Sequence, residues 1–445
     1  MDIDRDLLSL AEVASERYPH LHESVAHGTE QARYDILFAF PDSALTLDAN
    51  GRLSGDDGQG GGFLEAFDRW WQREAVAITG GDAPVPFRGG WFVYLGYELA
   101  AEVEPVLDVP PAEPVLPTAF AVRCPAAIVR DHERRCLHLV AEPGQEALLE
   151  RMTGDLERGG AECPSVQRPA LSVQEDDPRT FLDGVARVRR YIADGDVFQV
   201  NLSRRWCAIA DEAVPVERLY RLLRRHNPAP FAGLSRWQDT SILSSSPERL
   251  VQVGGGRVQT RPIAGTRPRG IAAVADQAYS RELLGHPKER AEHVMLIDLE
   301  RNDLGRVCRP GSAEVNELMV LETYAHVHHI VSNVRGVPVE GITPGQVIRA
   351  VFPGGTITGC PKIRCMEIIA ELEREGRGAY TGSMGYVNRD GDLDLNILIR
   401  TLVNRGNGVT LRTGAGIVAD SIAERELAET RAKARGLLLA LGAGE

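Results

Sequence analysis

A chain of 445 residues with 43% hydrophobic content can bury a large core, as one big domain or two subdomains. Its 50 Lys+Arg stand against 63 Asp+Glu, a net charge of −13, which argues against nucleic acid as a partner because phosphate binding needs a basic face. An anionic substrate would therefore require locally gathered Arg, Lys or a metal ion.

The opening stretch MDIDRDLLSLAEVASERYPH has no basic region followed by an apolar core, so no signal peptide is expected. No apolar run reaches membrane-spanning length, so no membrane partner is expected either. Seven cysteines, an odd number without a Cys-x-x-Cys, fit reduced thiols and a cytoplasmic location better than disulfides or zinc. Residues 34–40 read as a strand, 51–62 as a flexible Gly- and Asp-rich loop, and 63–76 as a helix. Residues 89–98 read as a buried strand with close backbone approaches at its glycines. No titratable constellation stands out before residue 160, and the polar stretch 160–178 is the best boundary candidate, giving an N-terminal subdomain 1–172 and a catalytic domain 173–445.

Asp177-Pro178 starts a helix that keeps Phe181, Val185, Val188 and Ile192 on one face until Gly195. In the following strand Phe198, Val200 and Leu202 share one side, and Gln199, Asn201 and Ser203 the other. The polar side would be solvated on pattern alone; a cleft lining is the sharper alternative. Ser244-Ser245-Ser246-Pro247-Glu248-Arg249 ends a strand and offers one carboxylate, Glu248, with no Gly-x-Ser-x-Gly turn to suggest a serine nucleophile. Residues 261–270 form a basic, turn-rich loop whose arginines are either solvated or suited to an anion.

Residues 288–298 read as a helix with Glu289 and Glu292 three apart, so both carboxylates leave one face. Residues 425–433 repeat the device with Glu426 and Glu429, and Lys433 one turn beyond. Spaced glutamates are mostly solvated or paired with Lys or Arg. Two such helices, however, suit a hard cation such as Mg²⁺, which favours oxygen ligands. His329 is either a base or a satisfied core histidine.

The stretch Phe352-Pro353-Gly354-Gly355-Thr356-Ile357-Thr358-Gly359-Cys360-Pro361-Lys362 precedes a helical run over 363–375. Small residues ahead of a helix let backbone N–H groups approach an anion. It is not a phosphate cradle, since Cys360-Pro361 stands where Lys-Ser/Thr is required; Pro361 suits a first helical turn. Residues 396–401 read as an apolar strand carrying Arg400, and 414–419 either as a weak dinucleotide fingerprint or as a strand needing close backbone approach.

Together the motifs FQVNLSR, SSPER, PIAGTRPRG, AEHVMLIDLERNDLGR, HHIVS, FPGGTITGCPK, GSMGY, LIRT, GAGIVADS and ELAETRAK resemble the chorismate-utilising enzymes. The likeness is closest to the synthase components of aminodeoxychorismate and anthranilate synthases; ARYDILFAFP and GGWFVYLGYEL look nearer the aminodeoxychorismate branch. The resemblance implies an α/β (α+β) fold of two packed antiparallel sheets with outer helices. It implies Mg²⁺ held by Glu292 and Glu429, with Glu289 and Glu426 supporting through water. Arg400, Tyr386, Lys433, Gly414 and Gly416 would hold the substrate or the metal surroundings, with Thr358, Gly359 and Ala264 lining the pocket. Glu248 would be the general acid at the C4 hydroxyl, with His329, Thr266 and Gln199 as its catalytic neighbours. Relatives that add water to chorismate carry Lys where Gln199 stands, so ammonia is the implied nucleophile, supplied by a separate glutamine amidotransferase subunit. Known aminodeoxychorismate synthases carry a nucleophilic Lys where this chain has Ala264, as anthranilate synthases do. The implied activity is amination of chorismate to 4-amino-4-deoxychorismate, towards 4-aminobenzoate and folate, with anthranilate formation as the runner-up. Segments 21–24 and 227–231 fall where the family's tryptophan site would lie.

Overall fold

The computed structural model describes residues 5–26, 32–55, 60–77, 85–158, 171–268, 276–277, 281–283, 285, 287–323 and 327–443. Two antiparallel sheets, each of eleven strands among these residues, dominate the molecule. The first runs Gly359–Cys360, Gln199–Ala210, Gly408–Ile417, Thr401–Arg405, Thr240–Ser246, Phe231–Trp237, His20–Glu23, Tyr34–Ala39, Ala126–Asp131, Cys136–Ala141, and Leu171–Glu175 adds to Gln199–Ala210. The second runs Ile263–Pro268, Val327–Gly336, Arg257–Thr260, Arg249–Gly254, Leu393–Asn396, Ser383–Asn388, Gly90–Leu95, Ala119–Cys124, Ala44–Leu47, Leu53–Gly55, and Glu314–Thr323 adds to Val327–Gly336. Strands from both sides of residue 172 enter both sheets, and the expected boundary falls inside Leu171–Glu175.

Alternating side chains explain the layering. In Gly90–Leu95, Trp91, Val93 and Leu95 join a core with Phe63, Phe67 and Trp70 of the helix Phe63–Glu74. Phe92 and Tyr94 point the other way, into a core shared with Ile36, Phe38 and Ile242 of the first sheet. A strand buried on both faces must be apolar throughout, which is why this stretch reads as one hydrophobic run. The first sheet's outer face is covered by Leu7–Val13, Ala147–Arg158, Val216–His226 and Ala423–Ala440. The architecture is thus the expected one, two packed sheets with helices outside.

Local signals set several boundaries. The Asp177 side chain accepts from the Arg179 N–H at 2.9 Å and Pro178 takes the first position of Pro178–Ala193. Four expectations change. Residues Ile263–Pro268 are a strand rather than a loop, because they pair with Val327–Val331. The run 396–401 is broken between two strands in different sheets, and Arg400 turns the chain at φ 53°. Pro361 caps the helix Lys362–Glu373 instead of starting it. The expected loop 51–62 contains the strand Leu53–Gly55, while 56–59 and most of 160–178 lie outside the described residues.

Candidate active site

The site is assembled on the strand Gln199–Ala210, flanked by Gly359–Cys360 and Gly408–Ile417. Val200 and Leu202 pack into the core under the helices Pro178–Ala193 and Lys362–Glu373, whereas Phe198, before the strand, is 68% exposed. The polar face is not solvated: Gln199, Asn201 and Ser203 are all buried. Gln199 Oε1 and Asn201 Oδ1 have no hydrogen-bond partner among the described residues. Buried carbonyl oxygens left unpaired cost free energy, so a face carrying two of them suits a ligand with donors. Register sets Asn201 opposite Gly416 and Ser203 opposite Gly414. A Cβ on Gly416 would overlap the Gln199 amide, and one on Gly414 would lie 2.7 Å from both Asn201 Oδ1 and the Tyr380 hydroxyl. These glycines make room for side chains from the neighbouring strand, so 414–417 is sheet and not a dinucleotide turn.

The Gly-Thr loop closes one end. Gly355–Ile357 forms a single 3-10 turn, and the Thr358 hydroxyl donates back to the Gly354 carbonyl at 2.9 Å. The Thr358 carbonyl accepts from the Asn201 N–H at 2.9 Å. Gly359 has φ 132° and lies against the Gln199 carbonyl, a backbone state open to glycine. Arg377 locks the loop to the strand, donating to the carbonyls of Ile357 at 3.2 Å and Asn201 at 2.8 Å.

Glu248 sits where the strand Thr240–Ser246 leaves the first sheet for Arg249–Gly254 in the second. It is buried, with the Ile263 backbone N 3.5 Å from Oε1. Burial raises its pKa to about 8; Thr356 and Lys433 oppose the rise and Glu300 adds to it. Burial thus favours the protonated form of Glu248, the form that proton donation requires.

Arg400, His329, Tyr380, Glu429 and Lys433 share the same electrostatic neighbourhood. Burial lowers the pKa of Arg400, and Tyr380 and Glu429 work against that. His329 is buried and held neutral, its pKa lowered to about 4 by burial and then by Arg400. Lys433 donates to the Gly414 carbonyl at 2.9 Å and pairs with Glu429 at 2.7 Å. Tyr386 is elsewhere: its ring packs on Phe38 and Phe87 in the core between the sheets. The tyrosine that meets Gly414 and Asn201 is Tyr380, which the sequence reading missed. Its signal is the neighbouring Thr381 at φ 63°, part of a tight turn that aims the preceding side chain inward. Thr266 pairs with His329 through the backbone, and Ala264 with Ile330; their side chains lie outside the described residues.

The helices Pro287–Gly305 and Ala423–Ala440 carry the paired glutamates. Glu292 and Glu426 are half-buried and Glu429 is 49% exposed; the side chain of Glu289 lies outside the described residues. Among the described residues no three His, Cys, Asp or Glu groups converge as a metal site. What the two helices offer is carboxylate oxygen, the donor class a hard cation prefers, next to Lys433 and Arg400. Arg261 pairs with Glu322 at 2.6 Å and Glu317 at 2.8 Å, so its charge is already matched. Cys124, Cys136, Cys207, Cys308, Cys360 and Cys365 are free thiols. In the expected tryptophan segments Glu23 is buried against Arg224, and Phe231 lies under Arg249. No helix of the described residues is long and apolar enough to cross a membrane.

This geometry has relatives. Residues 25–439 match the family model described as chorismate binding enzyme. The chain is 44% identical over 358 residues to the anthranilate synthase component I-like protein of Synechocystis sp., covering 80% of this chain and 73% of that one. It is 40% identical over 395 residues to aminodeoxychorismate synthase component 1 of Bacillus subtilis, covering 86% and 83%. The crystal structure of anthranilate synthase component I from Streptococcus pneumoniae superposes with TM-score 0.81 at 32% identity over 92% of this chain and 93% of that one. With a family match over nearly its whole length and relatives 40% or more identical over most of it, the chain belongs to the chorismate binding enzyme family.

Proposed function

We propose that this protein is the synthase component of aminodeoxychorismate synthase, converting chorismate and ammonia to 4-amino-4-deoxychorismate and water. The observation that carries the amination chemistry is a buried Glu248 whose pKa burial raises to about 8, together with a buried Gln199, an amide without basicity, at the position where relatives that add water to chorismate carry Lys. Glu248 gives its proton to the C4 hydroxyl as the C4–O bond breaks. Ammonia supplies the new C–N bond, and the proton it sheds restores the acid. Ala264 has no nucleophilic atom, so a first ammonia attacks C2 as the C4–O bond breaks, and a second attacks C4 as the C2–N bond breaks and releases the first. Arg400 and Lys433 pair with substrate carboxylates, and Tyr380 and Asn201 orient its polar edge. Mg²⁺, when bound by Glu292 and Glu429 with Glu289 and Glu426 supporting through water, would neutralise a substrate carboxylate and hold it in place. Ammonia comes from a glutamine amidotransferase subunit, a partner that the component naming of the relatives supports.

The Bacillus subtilis relative and the strands built from ARYDILFAFP and GGWFVYLGYEL support the aminodeoxychorismate reading. Ala264 and the Synechocystis and Streptococcus relatives favour a second one, anthranilate synthase. Incubation with chorismate, Mg²⁺ and ammonium separates them. A product that gives 4-aminobenzoate only after an aminodeoxychorismate lyase is added is the expected result. Anthranilate fluorescence without any lyase would replace it with the second reading.

A further inference from the structure

A second buried carboxylate lies behind Glu248 and has no part in the chemistry described so far. Glu300, on the helix Pro287–Gly305, is 3% exposed. Its Oε1 accepts from the Gly355 N–H at 3.2 Å and its Oε2 from the Thr260 hydroxyl at 3.0 Å. Neither bond supplies a cation. Lys362 spends its ammonium on Asp303, one turn along the same helix, and on the Val351 carbonyl. Glu300 therefore holds the 3-10 turn Gly355–Ile357 by its first N–H, and it reaches Thr260, three residues before Ile263, whose backbone N lies 3.5 Å from Glu248 Oε1.

We infer that Glu300 is a positioning residue that acts through Glu248: it pins the turn facing the acid and places a like charge behind it, so that the proton stays on Glu248. This rests on Glu248 being the proton donor. The groups facing the pair can be named. Around Glu248 these are Thr356, Glu300 and the Lys433 ammonium, the last opposing the effect. Around Glu300 they are Asp303, Lys362, the Thr260 hydroxyl and the Gly355 N–H. Glu300 is itself pushed up by burial and by Asp303, with Lys362 pulling the other way. Two interacting buried carboxylates resist double ionisation, so once Glu300 has ionised, Glu248 holds its proton more tightly than it would alone.

Glu300→Gln keeps an oxygen for Gly355 and a polar contact for Thr260 while removing the charge. The test is kcat/KM for chorismate against pH with ammonium and Mg²⁺, wild type and variant compared at each pH so that the titration of ammonium cancels. The limb that falls at high pH, where the acid is lost, moves down in Glu300→Gln by roughly one on the pH scale, the order of a like-charge interaction. Thr260→Val, which removes the hydroxyl favouring ionised Glu300, moves it the same way and serves if Glu300→Gln does not fold. An infrared titration of the protonated Glu248 carboxyl, without substrate, reports the same displacement independently of turnover. A limb and a carboxyl band that stay put in a folded variant overturn the inference while leaving the general acid in place. A Glu248→Gln enzyme that keeps its rate overturns the general acid itself.

Discussion

Arg377 and Glu373 face each other at 2.7 Å inside the protein, with side chains 1% and 3% exposed, four residues apart across the end of the helix Lys362–Glu373. Burial alone would raise the pKa of Glu373, yet Arg377 and Arg412 together hold it below the ordinary value. The same guanidinium lies over the rings of Tyr97 and Tyr380 at 4.9 and 5.6 Å. One charge pair thus ties the Gly-Thr loop, the Gln199 strand and Tyr380 into a rigid wall.

Arg377→Met should therefore destabilise by about 3–5 kcal/mol, because Glu373 keeps only part of its compensation from Arg412. Urea denaturation measures this. A loss below about 1 kcal/mol would mean that the wall holds without the pair.

Gly416→Ala should leave the fold intact and injure the site. The added methyl meets only the far end of the flexible Gln199 side chain, which must swing away. A displacement near 1 Å costs up to about 10²-fold, so a drop of roughly tenfold or more in kcat/KM is expected with an unchanged urea midpoint. Gly359→Ala differs, since its Cβ strikes the Gln199 carbonyl at a positive φ; there stability itself should fall.

Stability should carry the signature of Glu248. Its folded pKa of about 8 exceeds the ordinary 4.5, so between these values the folded chain keeps a proton that the unfolded chain has released. Stability from this group is complete below the unfolded value and is lost as pH rises through that window. Glu248→Gln removes the dependence, and its advantage over wild type should grow by up to a few kcal/mol from about pH 5 to pH 8. Parallel stability curves for the two proteins would contradict a buried neutral acid.

Glu292→Gln and Glu429→Gln should each cut Mg²⁺-dependent turnover by more than about 100-fold and weaken Mg²⁺ binding measured by calorimetry. Near-normal rates in either would remove that residue from the cation site.

Much of this was legible in the chain. Pro178–Ala193 follows from Asp177, Pro178 and its apolar spacing, and Gly90–Leu95 from an unbroken apolar run. The glutamates at i and i+3 follow from helical geometry alone. The burial of Gln199 was not legible, because it depends on strands that begin about 160 and 210 residues later. Tyr380 and Tyr386 stand six positions apart in similar company; only the turn at Thr381 and Gly382 sends one to the site and the other into the aromatic core. Glu300 sits in the charged run Leu299-Glu300-Arg301-Asn302-Asp303, which reads as a solvated helix face until Thr260 and Gly355 close over it.

The most direct measurement is chorismate consumption by Glu248→Gln with ammonium and Mg²⁺, paired with chorismate binding by the same variant. A loss of about 10²–10⁴-fold in rate with binding retained is the result expected of a general acid. A loss under tenfold would show that the departing hydroxyl takes its proton from elsewhere.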